Sequence, residues 1–273
     1  MNKTKIEWCG KTWNPVTGCF HGCEYCYAAG IARRFGGADG CQDVKFIKNQ
    51  IGMNHPLVEL NTPVYRTKKN GEKATAPYPY GFIPTFHKYK LSEPQKLTKP
   101  DDIFVCSMAD LFGEWVPVQW IRDVVDACSA APHHRYLFLT KNPNRYNELN
   151  QLAMLPYGDR FWYGSSVTDK SARGARSVKK TERKLKTFWS MEPLLEPVNL
   201  EKANGRLPDW VIIGAETGNR KGKVIPRREW VEDIARVCAD NDVPVFYKDS
   251  LRKRFPDLPK SEFPWGIKPT GKH

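Results

Sequence analysis

The sequence contains no long hydrophobic run. No window of its 273 residues approaches the roughly 18 to 20 consecutive apolar residues that a membrane-spanning helix needs. The first ten residues carry charged side chains and lack the apolar stretch of a signal peptide. Internal repeats and low-complexity tracts are missing as well. We therefore expect a cytoplasmic protein that makes no contact with a membrane.

Acidic residues are scarce relative to basic ones. The chain has 30 Asp and Glu against 43 Lys and Arg, which gives a formal net charge of +13. Its apolar content of 40% is that of a globular protein and excludes a disordered chain. Lys and Arg gain affinity for phosphates by releasing counterions, so this charge favours a polyanionic partner. A solvated Lys-rich face is the alternative explanation.

Closely spaced cysteines occur in one cluster and nowhere else. Three of the eight cysteines, Cys19, Cys23 and Cys26, lie close together, and the other five stand singly. A reducing compartment argues against a disulfide framework, and structural zinc usually takes two separated ligand pairs. A zinc site with His21 as the fourth ligand stays an alternative.

The spacing of these cysteines, CxxxCxxC, is that of the radical SAM superfamily. In those enzymes three thiolates hold a 4Fe-4S cluster and leave one iron open for S-adenosylmethionine (SAM). Tyr25 stands where the superfamily usually packs an aromatic or apolar side chain against adenine, and an ordinary packed aromatic is the alternative. Gly18 and Gly22 permit the tight turns that a cluster loop requires. The implied cofactors are a 4Fe-4S cluster and SAM.

The resemblance to a known family extends over nearly the whole chain. An opening segment over residues 6–19, continued at residues 26–28, is followed by five further blocks, at residues 103–112, 137–143, 190–195, 209–218 and 243–248. In this order the blocks resemble the phage Gp37/Gp68 proteins, a radical SAM-like family also known as DUF5131. Two departures are a shorter cysteine loop and Gly214-Ala215 in place of a glycine pair.

Apolar runs and helical patterns alternate along the chain. Runs rich in β-branched and aromatic residues predict strands over residues 12–17, 103–106, 136–139, 161–167, 187–190, 210–213 and 243–247. Helical periodicity predicts helices over residues 118–130, 144–152, 172–184 and 228–239.

This alternation predicts an α/β fold of about 6 to 7 βα units in one domain, residues 1–273. The resemblance implies that the units form an incomplete (β/α) barrel of radical SAM type. Residues 38–100 are rich in proline and glycine, and we expect an irregular insertion there, after the first helix.

In a (β/α) barrel, functional side chains gather at the carboxyl ends of the strands. Together with Tyr25, this rule predicts cofactor-binding residues Ser107, Met108, Asp110, Thr140, Lys141, Ser166 and Glu192. It predicts catalytic or substrate-contacting residues Glu216, Arg220, Lys221, Lys223, Lys248 and Asp249. Cys41 and Cys106 are candidate hydrogen-atom donors. For each of these residues a structural role, such as a helix cap or a packed thiol, is the alternative.

Basic residues concentrate after three of the predicted strands. Residues 173–186 contain seven basic residues and one acidic residue, residues 220–228 contain five basic residues and no acidic one, and residues 252–254 are all basic. All three segments begin on the side where the cluster is expected. A solvated outer helix is the alternative for the first of them.

The sequence therefore predicts a radical SAM enzyme, an isomerase, lyase or base-modifying enzyme, that acts on a phosphate-rich substrate. A nucleic-acid base is the leading case, with DNA ahead of RNA, as in phage DNA hypermodification in a bacterial host cytoplasm. Such an enzyme needs a reductase partner such as flavodoxin or ferredoxin. Two alternatives stay open: a radical SAM enzyme for a small nucleotide or phosphorylated metabolite, and a non-catalytic, zinc-bearing nucleic-acid-binding module.

Overall fold

The computed structural model describes residues 1–37, 46–48, 54–168, 184–200 and 207–266. The strands in these residues are β1 (Asn2–Lys3), β2 (Lys11–Trp13), β3 (Val16–Thr17), β4 (Phe46–Lys48), β5 (Asn54–Pro56), β6 (Val58–Leu60), β7 (Tyr65–Thr67), β8 (Lys73–Thr75), β9 (Thr85–His87), β10 (Asp102–Val105), β11 (Arg135–Thr140), β12 (Phe161–Ser166), β13 (Lys186–Met191), β14 (Val211–Ile213) and β15 (Val245–Tyr247). The α-helices are α1 (Tyr27–Phe35), α2 (Glu93–Lys96), α3 (Val118–Ser129), α4 (Asn144–Gln151), α5 (Arg228–Ala239) and α6 (Asp249–Arg252). No helix in the described part of the chain is long and apolar enough to cross a bilayer.

Eight strands form one mixed sheet, in the order β1-β2-β10-β11-β12-β13-β14-β15. The edge strand β1 runs antiparallel to β2, and every other neighbouring pair is parallel. From β10 onward each strand lies beside its predecessor in the chain, as successive βα units require. The helices α3, α4 and α5 connect β10 to β11, β11 to β12, and β14 to β15.

The predicted incomplete (β/α) barrel of radical SAM type is wrong. A barrel closes its sheet on itself, whereas no ladder between described residues joins β1 at one edge to β15 at the other. The antiparallel β1 also makes the sheet mixed, and the prediction contained parallel strands alone. Because β2, β14 and β15 have three residues each, both ends of the sheet offer little backbone for pairing. The architecture is a mixed α/β fold around an open eight-stranded sheet.

The individual strands and helices agree with the sequence pattern better than the overall architecture does. The predicted helices over residues 118–130, 144–152 and 228–239 are observed as α3, α4 and α5. The helix predicted over residues 172–184 lies, except for its last residue, outside the described residues. The strand predicted over residues 12–17 is split into β2 and β3 at Pro15, which has no N–H to donate to a ladder.

The described part of the segment predicted as an irregular insertion, residues 38–100, contains small β-units followed by the short helix α2. Strand β9 lies between β3 and β6 in a three-stranded sheet. Strands β4 and β5 form one antiparallel pair, and β7 and β8 form another. Each of these strands has two or three residues, which agrees with the frequent proline and glycine.

The two faces of the large sheet bury different side chains, because side chains alternate along a strand. One face packs against the helices α3, α4 and α5 through residues such as Val105, Phe138 and Val211. The opposite face carries one large apolar residue from each strand of the β10–β15 series: Phe104, Leu137, Trp162, Phe188, Ile212 and Phe246. We call these six residues, together with Trp8, which packs on them, the apolar floor.

Gly164 makes the close packing of the apolar floor feasible. A Cβ atom at this position would lie 2.2 Å from the ring of Phe188 on the neighbouring strand. A larger residue would therefore displace a fully buried ring. The floor fills the lower part of this face and leaves the carboxyl ends of the strands open above it.

Candidate active site

A cavity of about 220 Å³ lies above the apolar floor, at the carboxyl ends of the parallel strands. The alternation of side chains explains its chemistry. Phe188 of β13 belongs to the floor, and Ser190 of the same strand and Glu192 directly after its end, two and four residues later, line the cavity. The same spacing in β11 and β12 brings Leu139, Lys141 and Ser166 into the lining. This face therefore changes from apolar to polar toward the strand ends.

Most of the predicted site residues meet in this cavity. Its lining includes Cys19, Cys23, Tyr25, Cys26, Ser107, Asp110, Thr140, Lys141, Ser166, Glu192, Glu216 and Lys248. The residues of the prediction that are described but do not line it are Cys106, Met108, Arg220, Lys221, Lys223 and Asp249. Cys106 is buried in the core beneath α3, so its position does not support a role as hydrogen-atom donor. Cys41 lies outside the described residues.

The cysteine loop enters the cavity between β3 and α1. Gly18 begins the loop with a φ of +90°, and its N–H donates to the carbonyl of Met108 at 2.9 Å. A Cβ atom on Gly18 would lie 2.4 Å from the Ile83 carbonyl oxygen, so both the backbone angle and the space require glycine. At the other end, Cys26 caps helix α1, and its sulfur accepts from the N–H of Ala29 at 3.4 Å.

The three thiols line one cavity without converging on one point. Among the described residues, no group of three or more His, Cys, Asp or Glu side chains is arranged around a single ion. In a 4Fe-4S cluster each thiolate binds a different iron, so a shared cavity is the arrangement that a cluster needs. Burial raises the pKa of the Cys19 thiol to about 12 and also raises that of Cys23. A cationic cluster offsets this cost, because metal binding favours the thiolate. The donor set fits a cluster.

Asp110 holds the cysteine loop against the strands β10 and β11. Its Oδ2 lies 2.7 Å from His21 Nε2 and accepts from the N–H of Lys141 at 2.8 Å. Its Oδ1 accepts from the N–H of Phe112 at 3.0 Å and from the Thr140 hydroxyl at 2.7 Å. Because the carboxylate already accepts four hydrogen bonds from the protein, its geometry favours a positioning role over the predicted contact with SAM.

Lys141 and Tyr25 form a cationic and aromatic pair in the cavity. The Lys141 ammonium lies 5.1 Å from the centre of the Tyr25 ring, within cation–π range. Burial lowers the pKa of Lys141, but contacts with Tyr25, Cys23 and Asp110 outweigh it and raise the pKa above its usual range. The ammonium therefore keeps its charge, which suits an anionic ligand group.

A second charged group lies across the cavity, after β13 and β15. Lys248 forms an ion pair with Glu192, and its Nζ lies 4.0 Å from Glu7 Oε1. Glu7 Oε2 accepts from the N–H of Asp249 at 2.6 Å, and burial raises the pKa of Glu7. The sequence analysis missed Glu7, since the residues that it contacts are more than 200 positions away and no local motif marks it.

Arg220 joins the cysteine loop to the loop after β14. Its Nε donates to the buried Glu216 at 2.7 Å, and its Nη1 donates to Glu24, which lies between Cys23 and Cys26, at 3.1 Å. The N–H of Val224 donates to the other oxygen of Glu216 at 3.2 Å. Two carboxylates thus occupy Arg220, the first of the basic residues predicted to contact substrate.

The other described basic residues of the predicted segments are either bound by groups of the protein or exposed. Arg228 pairs with Glu232 and Asp257, and Arg252 donates to the carbonyls of Leu258 and Pro259. Lys221 and Lys223 are exposed. In the first basic segment, residues 173–183 lie outside the described residues, and Lys186 pairs with Asp159 and Asp209 at 3.9 Å each.

Asn14 and Tyr27 are two further site residues that sequence reasoning missed. The Asn14 side-chain oxygen accepts from the Ser107 hydroxyl at 3.2 Å and from the N–H of Met108 at 3.0 Å, which orders the segment after β10. The Tyr27 hydroxyl donates to the Ser107 carbonyl at 2.7 Å, and its ring lines the cavity. The position of Tyr27 directly after Cys26 was the available signal.

The fold and the site together define a mixed α/β protein with a three-cysteine cavity at the carboxyl ends of its parallel strands. The chain belongs to the DUF5131 family, described as a protein of unknown function, whose model matches residues 3–252. No curated protein matches the sequence. No solved structure matches it either.

Proposed function

We propose that this protein is a radical SAM enzyme whose 4Fe-4S cluster is held by Cys19, Cys23 and Cys26. The observation that carries the proposal is the meeting of these three thiols in one cavity with polar residues from successive strands. When bound, the cluster supplies the electron that cleaves SAM to methionine and a 5'-deoxyadenosyl radical, which abstracts hydrogen from the substrate. The radical SAM class is supported by the cysteine spacing and by this cavity, not by a barrel fold.

The residues around the cavity have separate tasks in this proposal. Lys141 offers a buried positive charge for the SAM carboxylate, and Tyr25 offers an aromatic face for adenine. Glu192 is placed to accept hydrogen bonds from the SAM ammonium or ribose, with Lys248 holding its carboxylate in position. The apolar floor excludes water from beneath the reacting groups.

The substrate in this proposal is phosphate-rich, with a nucleic-acid base as the reacting group and DNA ahead of RNA. The net charge of +13 supports it, because it favours a polyanion. A flavodoxin or ferredoxin supplies the electrons in the cytoplasm. The reaction belongs to the isomerase, lyase or base-modifying classes.

The test is anaerobic reconstitution with iron and sulfide, followed by reduction in the presence of SAM. The proposal predicts about four irons per chain and formation of 5'-deoxyadenosine by the wild type. Cys23→Ala should abolish 5'-deoxyadenosine formation, and Cys238→Ala, which alters an isolated buried cysteine on α5, should preserve it. Stoichiometric zinc without iron in the wild type would contradict the proposal and favour a metal-binding module instead.

A further inference from the structure

Helix α1 and the β7–β8 hairpin carry positive charge that acidic residues in the described part of the chain do not balance. Residues 27–37 and 64–76 together contain six basic residues and one acidic residue, Glu72. Glu72 pairs with Lys68 at 2.9 Å. The other basic side chains of these two segments form no ion pair with any residue in the described ranges.

Two of the basic residues at and beside the cavity, Arg220 and Lys248, are held by carboxylates of the protein. Arg220 binds two carboxylates, those of Glu216 and Glu24, and Lys248 is paired with Glu192. A phosphate arriving at the cavity would compete with these internal partners. Among the described residues, the basic side chains of α1 and the hairpin other than Lys68 have no carboxylate partner that would compete in this way.

The same surface exposes large aromatic side chains. Tyr27, Phe35 and Tyr65 are 54%, 40% and 51% exposed, respectively. In α1 the buried residues are the small Ala28 and Ala32. The helix thus buries its alanines and turns its large apolar residues to solvent, the reverse of an ordinary amphipathic helix.

This surface begins at the cavity and continues away from it. Tyr27 lines the cavity, and α1 extends from there for nine residues, or about 14 Å at 1.5 Å per residue. At the far end Arg66 of the hairpin donates to the Phe35 carbonyl at 3.4 Å. Arg66 is half-buried, and the alternation of the strands turns Tyr65 and Lys73 outward.

We propose that the surface formed by Tyr27, Arg34, Phe35, Tyr65, Lys69 and Lys73 binds single-stranded nucleic acid beside the cavity. Basic side chains that follow a backbone, interleaved with aromatic rings on which bases stack, are how proteins bind single strands. A duplex hides the faces of its bases, so the exposed rings favour an unpaired strand. Chemistry on a base also requires that the base leave the stack, and the strand bound here presents it at the mouth of the cavity. The inference rests on the proposed function for its substrate class.

The test is fluorescence anisotropy of the reconstituted protein with a labelled 20-nucleotide single-stranded DNA, its RNA counterpart and the matching DNA duplex, across a salt series. Lys69→Gln/Lys73→Gln removes two charges from the surface. Lys96→Gln/Lys99→Gln is the matched control, because both lysines are exposed near the amino end of β10, away from the cavity. Circular dichroism and the melting temperature confirm that both variants fold.

The wild type should bind the single strands more tightly than the duplex. A single strand contributes a salt slope of about 0.7 per phosphate contact, so losing two contacts lowers the slope by about 1.4. At 0.1 M salt this corresponds to about 25-fold weaker binding, with no change in the control. Tyr65→Ala should weaken binding at least about fivefold by removing a stacking platform, whereas Tyr157→Ala, an exposed tyrosine just before β12, should not.

Equal affinity for the duplex, or unchanged binding by Lys69→Gln/Lys73→Gln, overturns the inference. These outcomes are separable from the fate of the proposed function, which is read from iron content and 5'-deoxyadenosine formation without oligonucleotide. A wild type that cleaves SAM but binds no strand even at low salt refutes this surface and leaves the radical SAM proposal intact. A protein that binds single strands through this surface but contains no iron refutes the radical SAM proposal and leaves the inference about the surface intact.

Discussion

Replacement of Asp110 by asparagine tests whether this residue positions the cysteine loop. Asparagine has nearly the same shape, but it replaces one acceptor oxygen with an NH₂ group. In Asp110 each oxygen accepts two hydrogen bonds. The NH₂ group of Asp110→Asn would therefore face two groups that donate hydrogen bonds to Asp110 in the wild type.

The size of the expected loss in the free energy of unfolding follows from the burial of Asp110. Asp110 is 5% exposed. A hydrogen bond to a charged group contributes about 1.5 to 3 kcal/mol, and a buried donor left without a partner costs about 1 to 3 kcal/mol. Allowing for relaxation of the loop, Asp110→Asn should lower the free energy of unfolding by about 3 kcal/mol. For a chain of this size that corresponds to a melting temperature lower by about 5 °C.

Urea unfolding and thermal unfolding, both followed by circular dichroism, measure this change. Asp126→Asn, at an exposed position on α3, is the control and should lie within about 0.5 kcal/mol of the wild type. Because His21 is one of the donors, Asp110→Asn should also reduce the iron retained after reconstitution. A variant as stable as the wild type, with full iron content, would refute the positioning role.

Three further predictions follow from packing and charge. Gly164→Ala should destabilise the protein by about 1 to 3 kcal/mol in urea unfolding, because its Cβ would overlap the Phe188 ring, whereas Gly30→Ala, with open space inside α1, should stabilise it by about 0.5 to 1 kcal/mol. Burial, helped by the charge of Lys90, lowers the pKa of His87 to about 3, while an unfolded histidine titrates near 6.5. The unfolded state alone therefore takes up this proton as pH falls through that window, and at pH 5 the wild type should have lost about 2 kcal/mol relative to pH 7, a loss that His87→Gln should not show. Arg220→Gln, which leaves the buried Glu216 without its cation, should lower the melting temperature more than Glu24→Gln, since Glu24 is 82% exposed, and equal effects would contradict the assigned contacts.

Local pattern was sufficient to predict the parallel strands of the large sheet and the helices α3, α4 and α5. Continuous apolar runs mark strands covered on both faces, and β11, β12 and β13 lie where these runs predict them. Closure of the sheet was not predictable in this way, because it depends on whether two short strands at opposite ends of the chain pair. The two-residue β1, which makes the sheet mixed, carries no pattern of its own.

The part of the candidate site that could be predicted from the sequence consists of residues directly after the parallel strands. The rule that functional groups follow parallel strands singled out Thr140, Lys141, Ser166 and Glu192, all of which line the cavity, and their role in cofactor binding stays a prediction. The rule carries no information on contacts between residues that are far apart in the sequence. Nothing near Glu7 in sequence indicates that it meets Lys248, and a strand-end position could not show that Arg220 is bound by two carboxylates.

The most direct measurement of the central claim is electron paramagnetic resonance of the reduced, reconstituted protein with and without SAM. If Cys19, Cys23 and Cys26 hold a 4Fe-4S cluster with one iron open, the reduced protein gives a spin-½ iron–sulfur signal that changes when SAM is added. Cys23→Ala should lack that signal, and Cys238→Ala should keep it. A wild-type protein without an iron–sulfur signal, or with one that SAM leaves unchanged, would contradict the account.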